Sequence, residues 1–150
     1  MIEREEMPKD KFNDFCDRLE KEIINKDNKD HYEKIVELFR NPQNWGKMSD
    51  DETSAFHSER GKNGELLEFY LKINPEERVE KASFFTDGCG CMVAVASQTT
   101  LLIQGKRLDV VEKLSVEDID NALHRLPNDE KHCAELAISV LQYLIKAYKK

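Results

Sequence analysis

Two cysteines stand where thiol chemistry is easiest to arrange. Cys89 lies in Thr86-Asp87-Gly88-Cys89-Gly90, directly ahead of a long apolar run, and Cys133 follows Leu126-Pro127 and His132 ahead of a second. Each therefore sits at the mouth of an expected helix, where unpaired backbone N–H groups and the positive end of the helix dipole stabilise a thiolate. A thiolate so placed is a nucleophile and a soft ligand for iron or zinc. Gly88 and Gly90 let the chain turn sharply around Cys89 and leave its sulfur accessible. His132 puts a nitrogen donor next to Cys133, and zinc and iron accept both donor types.

The remaining candidates are more ambiguous. Cys91 makes a Cys-x-Cys with Cys89 and has two readings. Either its sulfur turns toward the same site, or it packs as a small apolar side chain beside Met92, Val93 and Ala94. Cys16 lies on an apolar stripe and reads as core. His31, His57 and His124 have no ligand partner at i+3 or i+4, so surface or capping roles are expected for them. The chain has no Gly-rich phosphate loop, no helical His-x3-His pair and no Ser/His/Asp arrangement. Hydrolytic and nucleotide-driven chemistry are therefore unsupported.

The elements that must position these residues follow from periodicity. Pro8 opens a segment in which Phe12, Phe15, Cys16, Leu19 and Ile23 recur at helical spacing, predicting an amphipathic helix to about Lys26. A second helix carries Ile35, Val36 and Phe39 and stops at Asn41-Pro42. A loop to about Gly64 follows, with one short strand around Ala55 to Ser58. Leu67, Phe69, Leu71 and Ile73 then alternate with polar residues, and Asn74-Pro75-Glu76-Glu77 turns the chain into a returning strand from Arg78 to Phe85. This antiparallel hairpin delivers the chain to Cys89.

From Gly90 to Ile103 the sequence is apolar nearly all round, which predicts a buried helix closed by Gly105. Ser115 caps a helix with acidic first-turn residues that runs through Leu123. Pro127 and Asn128 start the last helix, whose stripe runs through Cys133, Leu136, Ala137, Val140, Leu141, Leu144, Ile145 and Tyr148. Strands in the middle with helices on either side predict an α+β fold, a small antiparallel β-sheet packed against helices. The N-terminal amphipathic helix, residues 1–28, precedes a single body over residues 29–150.

At 150 residues, one core is enough. Hydrophobic residues at 39% and charged residues at 35% match a globular chain with a charge-rich surface. The net charge is −7 and basic residues are interleaved with acidic ones, so no nucleic-acid footprint is present. No run reaches the ~18 apolar residues of a membrane span, and the first residues lack the apolar centre of a signal peptide. A cytoplasmic protein is expected. In a reducing compartment four cysteines argue for core, metal or sulfur-transfer roles over disulfides.

Taken in order, several segments resemble the NifU/IscU-type scaffolds of iron–sulfur cluster assembly. Tyr32 and Asn41-Pro42-Gln43-Asn44-Trp45-Gly46 are similar to the family's Tyr and Asn-Pro-x-Asn-x-Gly segment. Thr86-Asp87-Gly88-Cys89-Gly90 with Ala94 and Ser97 is similar to its central cysteine motif. Gly105-Lys106 resembles the turn that follows, and His132-Cys133-Ala134-Glu135-Leu136-Ala137 the third motif. The likeness runs from about His31 to Tyr148.

The resemblance implies a SufE/NifU-like fold and a transient iron–sulfur cluster of the 2Fe–2S type, with zinc possible in its absence. It also implies sulfur received from a cysteine desulfurase and delivery to apo iron–sulfur proteins. By resemblance the ligand positions are Cys89, His132 and Cys133. The family's first motif, Cys-Gly-Asp, corresponds to Asn63-Gly64-Glu65, so a thiol is lost and a carboxylate kept at Glu65. Cys91 would supply the third sulfur if its side chain turns toward Cys89, the first of its two readings. Where the family has the Leu-Pro-Pro-Val-Lys read by an Hsp70 chaperone, this chain has Leu126-Pro127-Asn128-Asp129-Glu130, which puts that interaction in doubt. The N-terminal stripe needs a covering surface, either the body of the domain or a second copy in a homodimer. Two other readings stay open: a SufE-type persulfide acceptor using Cys89, and a zinc-bound, non-catalytic regulator of the desulfurase.

Overall fold

The computed structural model describes residues 33–88 and 90–149. The expected Pro8–Lys26 helix, Cys16, His31, Tyr32 and Cys89 lie outside the described residues.

Helix α1 (Glu33–Arg40) buries Ile35, Leu38 and Phe39. Its last backbone bond runs from Asn41 N to Glu37 O (2.9 Å), and Pro42 cannot extend it. Three strands follow, β1 (Ala55–Arg60), β2 (Leu66–Ile73) and β3 (Val79–Thr86), forming an antiparallel sheet in the order β1-β2-β3. Leu67 faces Thr86, Phe69 faces Phe84 and Leu71 faces Ala82, so one face of the sheet is a continuous apolar layer. The hairpin appears where alternation predicts it, with β3 one residue later at both ends. β1 is longer than expected because pairing with β2 carries it to Arg60, a tertiary contribution that its weakly alternating sequence does not announce.

Helix α2 (Gly90–Ile103) lies against that layer and is buried from Gly90 through Thr100. Two of its buried hydroxyls are satisfied within the helix, Thr99 Oγ1 donating to Val95 O (2.7 Å) and Thr100 Oγ1 to Ser97 O (2.7 Å), while Ser97 Oγ donates to Gln43 O (3.3 Å). Gly105, at φ +81°, ends this segment, and its N–H donates to Val79 O (2.7 Å) while Val79 N donates to Lys106 O (2.8 Å). The chain leaving α2 is thereby sewn to the start of β3. The Asn41–Gly46 segment closes the far side of β3. Phe84 N donates to Asn44 O (3.1 Å) and Gly46 N to Phe84 O (2.7 Å), while Asn44 Nδ2 reaches Thr100 Oγ1 (3.0 Å).

A four-residue helix, α3 (Leu108–Val111), has no counterpart in the sequence expectations. It has no side-chain N-cap and is held by burial of Leu108 and Val111, neither of which gives a period long enough to recognise. Helix α4 (Val116–Ala122) opens on a capping box: Ser115 Oγ accepts from Asp118 N (3.2 Å) and Ser115 N donates to Asp118 Oδ2 (2.9 Å). A 3-10 turn (Asn128–Glu130) leads into α5 (Lys131–Lys149), so the α-helix proper begins three residues after the expected start. Its stripe is buried from Cys133 to Ile145, but Tyr148 is exposed because the helix outlasts the core. Among the described residues, no helix is long and apolar enough to cross a membrane.

Candidate functional site

At one end of the sheet, the β1–β2 turn, the end of β3 and the first turns of α2 and α5 surround a cavity of about 510 Å³. The turn is closed by Gly61 N to Glu65 O (2.8 Å) and Gly64 N to Gly61 O (2.9 Å), with Gly64 at φ +85°. Asp87 locks it to the end of β3. Its Oδ1 accepts from Leu66 N (2.7 Å), and its other oxygen lies 3.8 Å from Arg60 Nη1. Thr86 Oγ1 donates to Leu66 O (2.5 Å) and accepts from Gly88 N (3.0 Å). Asp87 thus spends one carboxylate oxygen on a backbone amide, which fits a positioning role at the cavity edge.

The elements meet closely. A Cβ on Gly88 would stand 3.2 Å from Glu65 Cβ, Met92 Cβ and Thr86 Oγ1, so glycine permits this approach. A Cβ on Gly61 would overlap the Glu65 carboxylate. Glu65 is half-buried, and its Oε1 is buried with no hydrogen-bond partner among the described residues. Leaving a carboxylate oxygen in that state is costly unless a cation or proton donor visits it.

Cys133, in the first turn of α5, is fully buried yet contributes to the cavity wall. Its Sγ donates to Glu130 Oε2 at 3.7 Å and lies 3.8 Å from His132 Nε2. Cys91, in the first turn of α2, is also fully buried. Its thiol comes alongside the other helix mouth: one donor atom each from Cys91, Glu130 and Cys133 lie within 4.8 Å of one another. Of the expected ligands, the structure therefore brings Cys91 and Cys133 together. Glu65 and His132 line the cavity without joining that close group, and Asn63, exposed at its rim, presents an amide.

Glu130 is the residue that sequence reasoning missed. It sits three positions before Cys133 on the 3-10 turn, and only 6% of its surface is exposed. The available signal was a carboxylate one short turn ahead of a helix-mouth cysteine. Carboxylates dominate the ionisable lining: Glu65, Asp87, Asp129 and Glu130, with no lysine or arginine among the described lining residues. Lys131 is directed instead toward Asp120, 3.9 Å away. Such a wall favours cations over anions.

The other histidines are placed elsewhere. His57 Nε2 lies 3.1 Å from Glu59 Oε2, and its ring stacks on Tyr143 with centroids 5.4 Å apart. Ser139 Oγ donates to the same Glu59 (2.9 Å), so this group ties β1 to α5. His124 is exposed at φ +59° just beyond α4, a helix-end position.

Comparison with known proteins agrees with this architecture. Residues 30–150 match the NifU-like N-terminal domain. The chain is 33% identical over 120 residues to the iron-sulfur cluster assembly scaffold protein IscU of Aquifex aeolicus, covering 79% of this chain and 76% of that one. It is 31% identical over 119 residues to the scaffold protein IscU of Escherichia coli K12, covering 78% and 92%. Among solved structures, the N-terminal part of a nitrogen-fixing NifU-like protein from Brucella abortus matches with a TM-score of 0.60. That match covers 78% of this chain and 92% of that chain at 15% identity, a likeness of fold.

Proposed function

This chain belongs to the NifU-like N-terminal domain family, and on that premise we propose that it is a scaffold or carrier for iron–sulfur cluster assembly in the cytoplasm. It takes sulfur from a cysteine desulfurase, holds iron or a nascent cluster, and passes it to apo iron–sulfur proteins without catalysing a reaction of its own. The observation that carries this reading is the pairing of the Cys91 and Cys133 thiols at two helix mouths beside a carboxylate-lined cavity.

Each residue has a definite task in this reading. Cys89 and Cys133 are thiolate ligands to the cargo, and Cys91 supplies the sulfur that Asn63 cannot. Glu65 presents the carboxylate of the turn, with an oxygen ready to accept a cation. His132 stands beside Cys133 as an alternative ligand or proton acceptor. Asp87 and Thr86 hold the turn, so that cavity width stays fixed while the cargo changes.

Anaerobic reconstitution with ferrous iron and sulfide tests the proposal. Wild-type protein should develop visible sulfur-to-iron charge-transfer absorption that survives desalting, and a colourless product would sink the scaffold reading. Asn63→Cys should increase cluster retention by restoring a thiol at the cavity rim. The amide at Asn63 favours one second reading, a persulfide acceptor of the SufE type. There the Cys89 thiolate attacks the terminal sulfur of the desulfurase persulfide and releases the enzyme's cysteine thiolate. Mass spectrometry would then find one added sulfur on wild type and none on Cys89→Ser, with no colour in either.

A further inference from the structure

We infer that the outer edge of β1 is a docking surface for a second copy of this chain, whose own β1 adds antiparallel about Ser58 and joins the two sheets into one. The fold treats its two sheet edges differently. The β3 edge is covered, with Phe84 exchanging backbone bonds with Asn44 and Gly46. Among the described strands, β1 is paired on one side alone, to β2. Gly61 N donates to Glu65 O, one step beyond the Arg60–Leu66 pair, so the alternating antiparallel ladder turns Ala55, His57 and Glu59 toward β2. Phe56, Ser58 and Arg60 therefore aim their N–H and C=O groups outward, where no described strand lies. β1 also has neither a bulge nor a proline, two of the devices that ordinarily blunt an exposed edge.

Charges, the third such device, are arranged here to pair. With a two-fold axis at Ser58, His57 stands opposite Glu59 of the second copy, Phe56 opposite its Arg60, and Ser58 opposite its own counterpart. An acidic group thus meets an imidazole, and an aromatic ring meets a guanidinium. The neighbouring two-fold registers would set His57 against His57 or Glu59 against Glu59, so charge selects the Ser58 centre. Both sides of the edge also carry exposed aromatic surface. Phe56 is 43% exposed on the face away from the helices, and Tyr143 of α5, stacked on His57, is 60% exposed on the helix side. An added strand covers apolar area on both sides while it completes the ladder. The cavity lies at the Arg60 end of β1, where Arg60 Nη1 donates to Gly64 O (2.8 Å). Antiparallel addition therefore sets the two cavities at opposite ends of the joined sheet.

Sedimentation velocity on the full-length protein tests the assignment, under reducing conditions so that none of the four cysteines links copies. Wild type should show a dimer whose fraction rises with concentration, and a chain that stays monomeric overturns the docking surface. Ser58→Pro removes an outward N–H, leaves the bonds to β2 in place and deletes a ladder bond on each side of the axis. It should weaken the dimer on the order of 10-fold or more. Unchanged affinity would put the contact elsewhere, on the N-terminal stripe for instance, and overturn the assignment. A pair of charged variants, each checked for native circular dichroism, guards against a fold damaged by proline. Ser58→Lys and Ser58→Glu should each be monomeric where wild type dimerises, because like charges meet on the axis, and should associate when mixed. Mixtures that remain monomeric refute the register.

Discussion

The two ends of α2 are built on opposite principles. At the C-terminal end, Thr100 takes a hydrogen bond from Asn44, Gly105 bonds to Val79, and Lys106 accepts from the same residue, so backbone and side chains close on one another. At the N-terminal end, metal-ligating side chains converge instead. Two buried thiols and a buried carboxylate crowd together, and Glu65 Oε1 has no hydrogen-bond partner among the described residues. One end secures the helix to the sheet, and the other gathers side chains of the kind that can hold a cation. The contrast separates residues that make the fold from residues that use it.

Breaking the secured end should have the largest effect. Phe84 is fully buried on β3, and Phe84→Ala should cost about 3–5 kcal/mol, read as a lower denaturant midpoint. Asn44→Ala removes the bond to Thr100 and places alanine at φ +63°, which should cost about 1–2 kcal/mol and lower the melting temperature by a few degrees. At the other end the sign should reverse. Glu65→Gln removes a poorly solvated charge and should stabilise the apo protein by about 0.5–1 kcal/mol, while cluster retention after desalting falls. A destabilised Glu65→Gln would show that both ends are ordinary scaffolding.

The smallest effect belongs to neither end. Glu52 pairs with Lys81 at 2.9 Å on the surface, and the lysine's hydrogen bond and charge hold its carboxyl below the usual range. A lowered folded-state value means any contribution is present above the unfolded value and fades as pH falls through the folded one. The pair is exposed and screened, so Glu52→Gln should leave the melting temperature unchanged at neutral pH and in acid.

Long periodic elements were legible in the sequence because their burial follows their period. The Gly90–Ile103 helix has the expected limits, since an all-round apolar run admits one packing, and Ser115 with Asp118 marks its helix by chemistry that acts locally. Leu108–Val111 was not legible, because four residues carry no period and its support comes from burial in the core. The same difference governs the site. Cys133 was visible from its place at the head of a stripe. Whether Cys91 turns toward it depends on how α2 and α5 meet, and Glu130 gains its importance only from the 3-10 turn that buries it.

Trp45 gives the secured end an optical signature. It is the chain's single tryptophan and stands edge-on to Phe84, with ring centroids 5.2 Å apart and planes at 88°. Its emission therefore reports the environment of β3 without interference from another indole. A cluster absorbing in the tryptophan emission range would quench it by energy transfer while the protein stays folded, whereas loss of the Phe84 contact would shift its wavelength. Intensity would then follow loading and wavelength would follow folding, so one chromophore would time both events in the same sample.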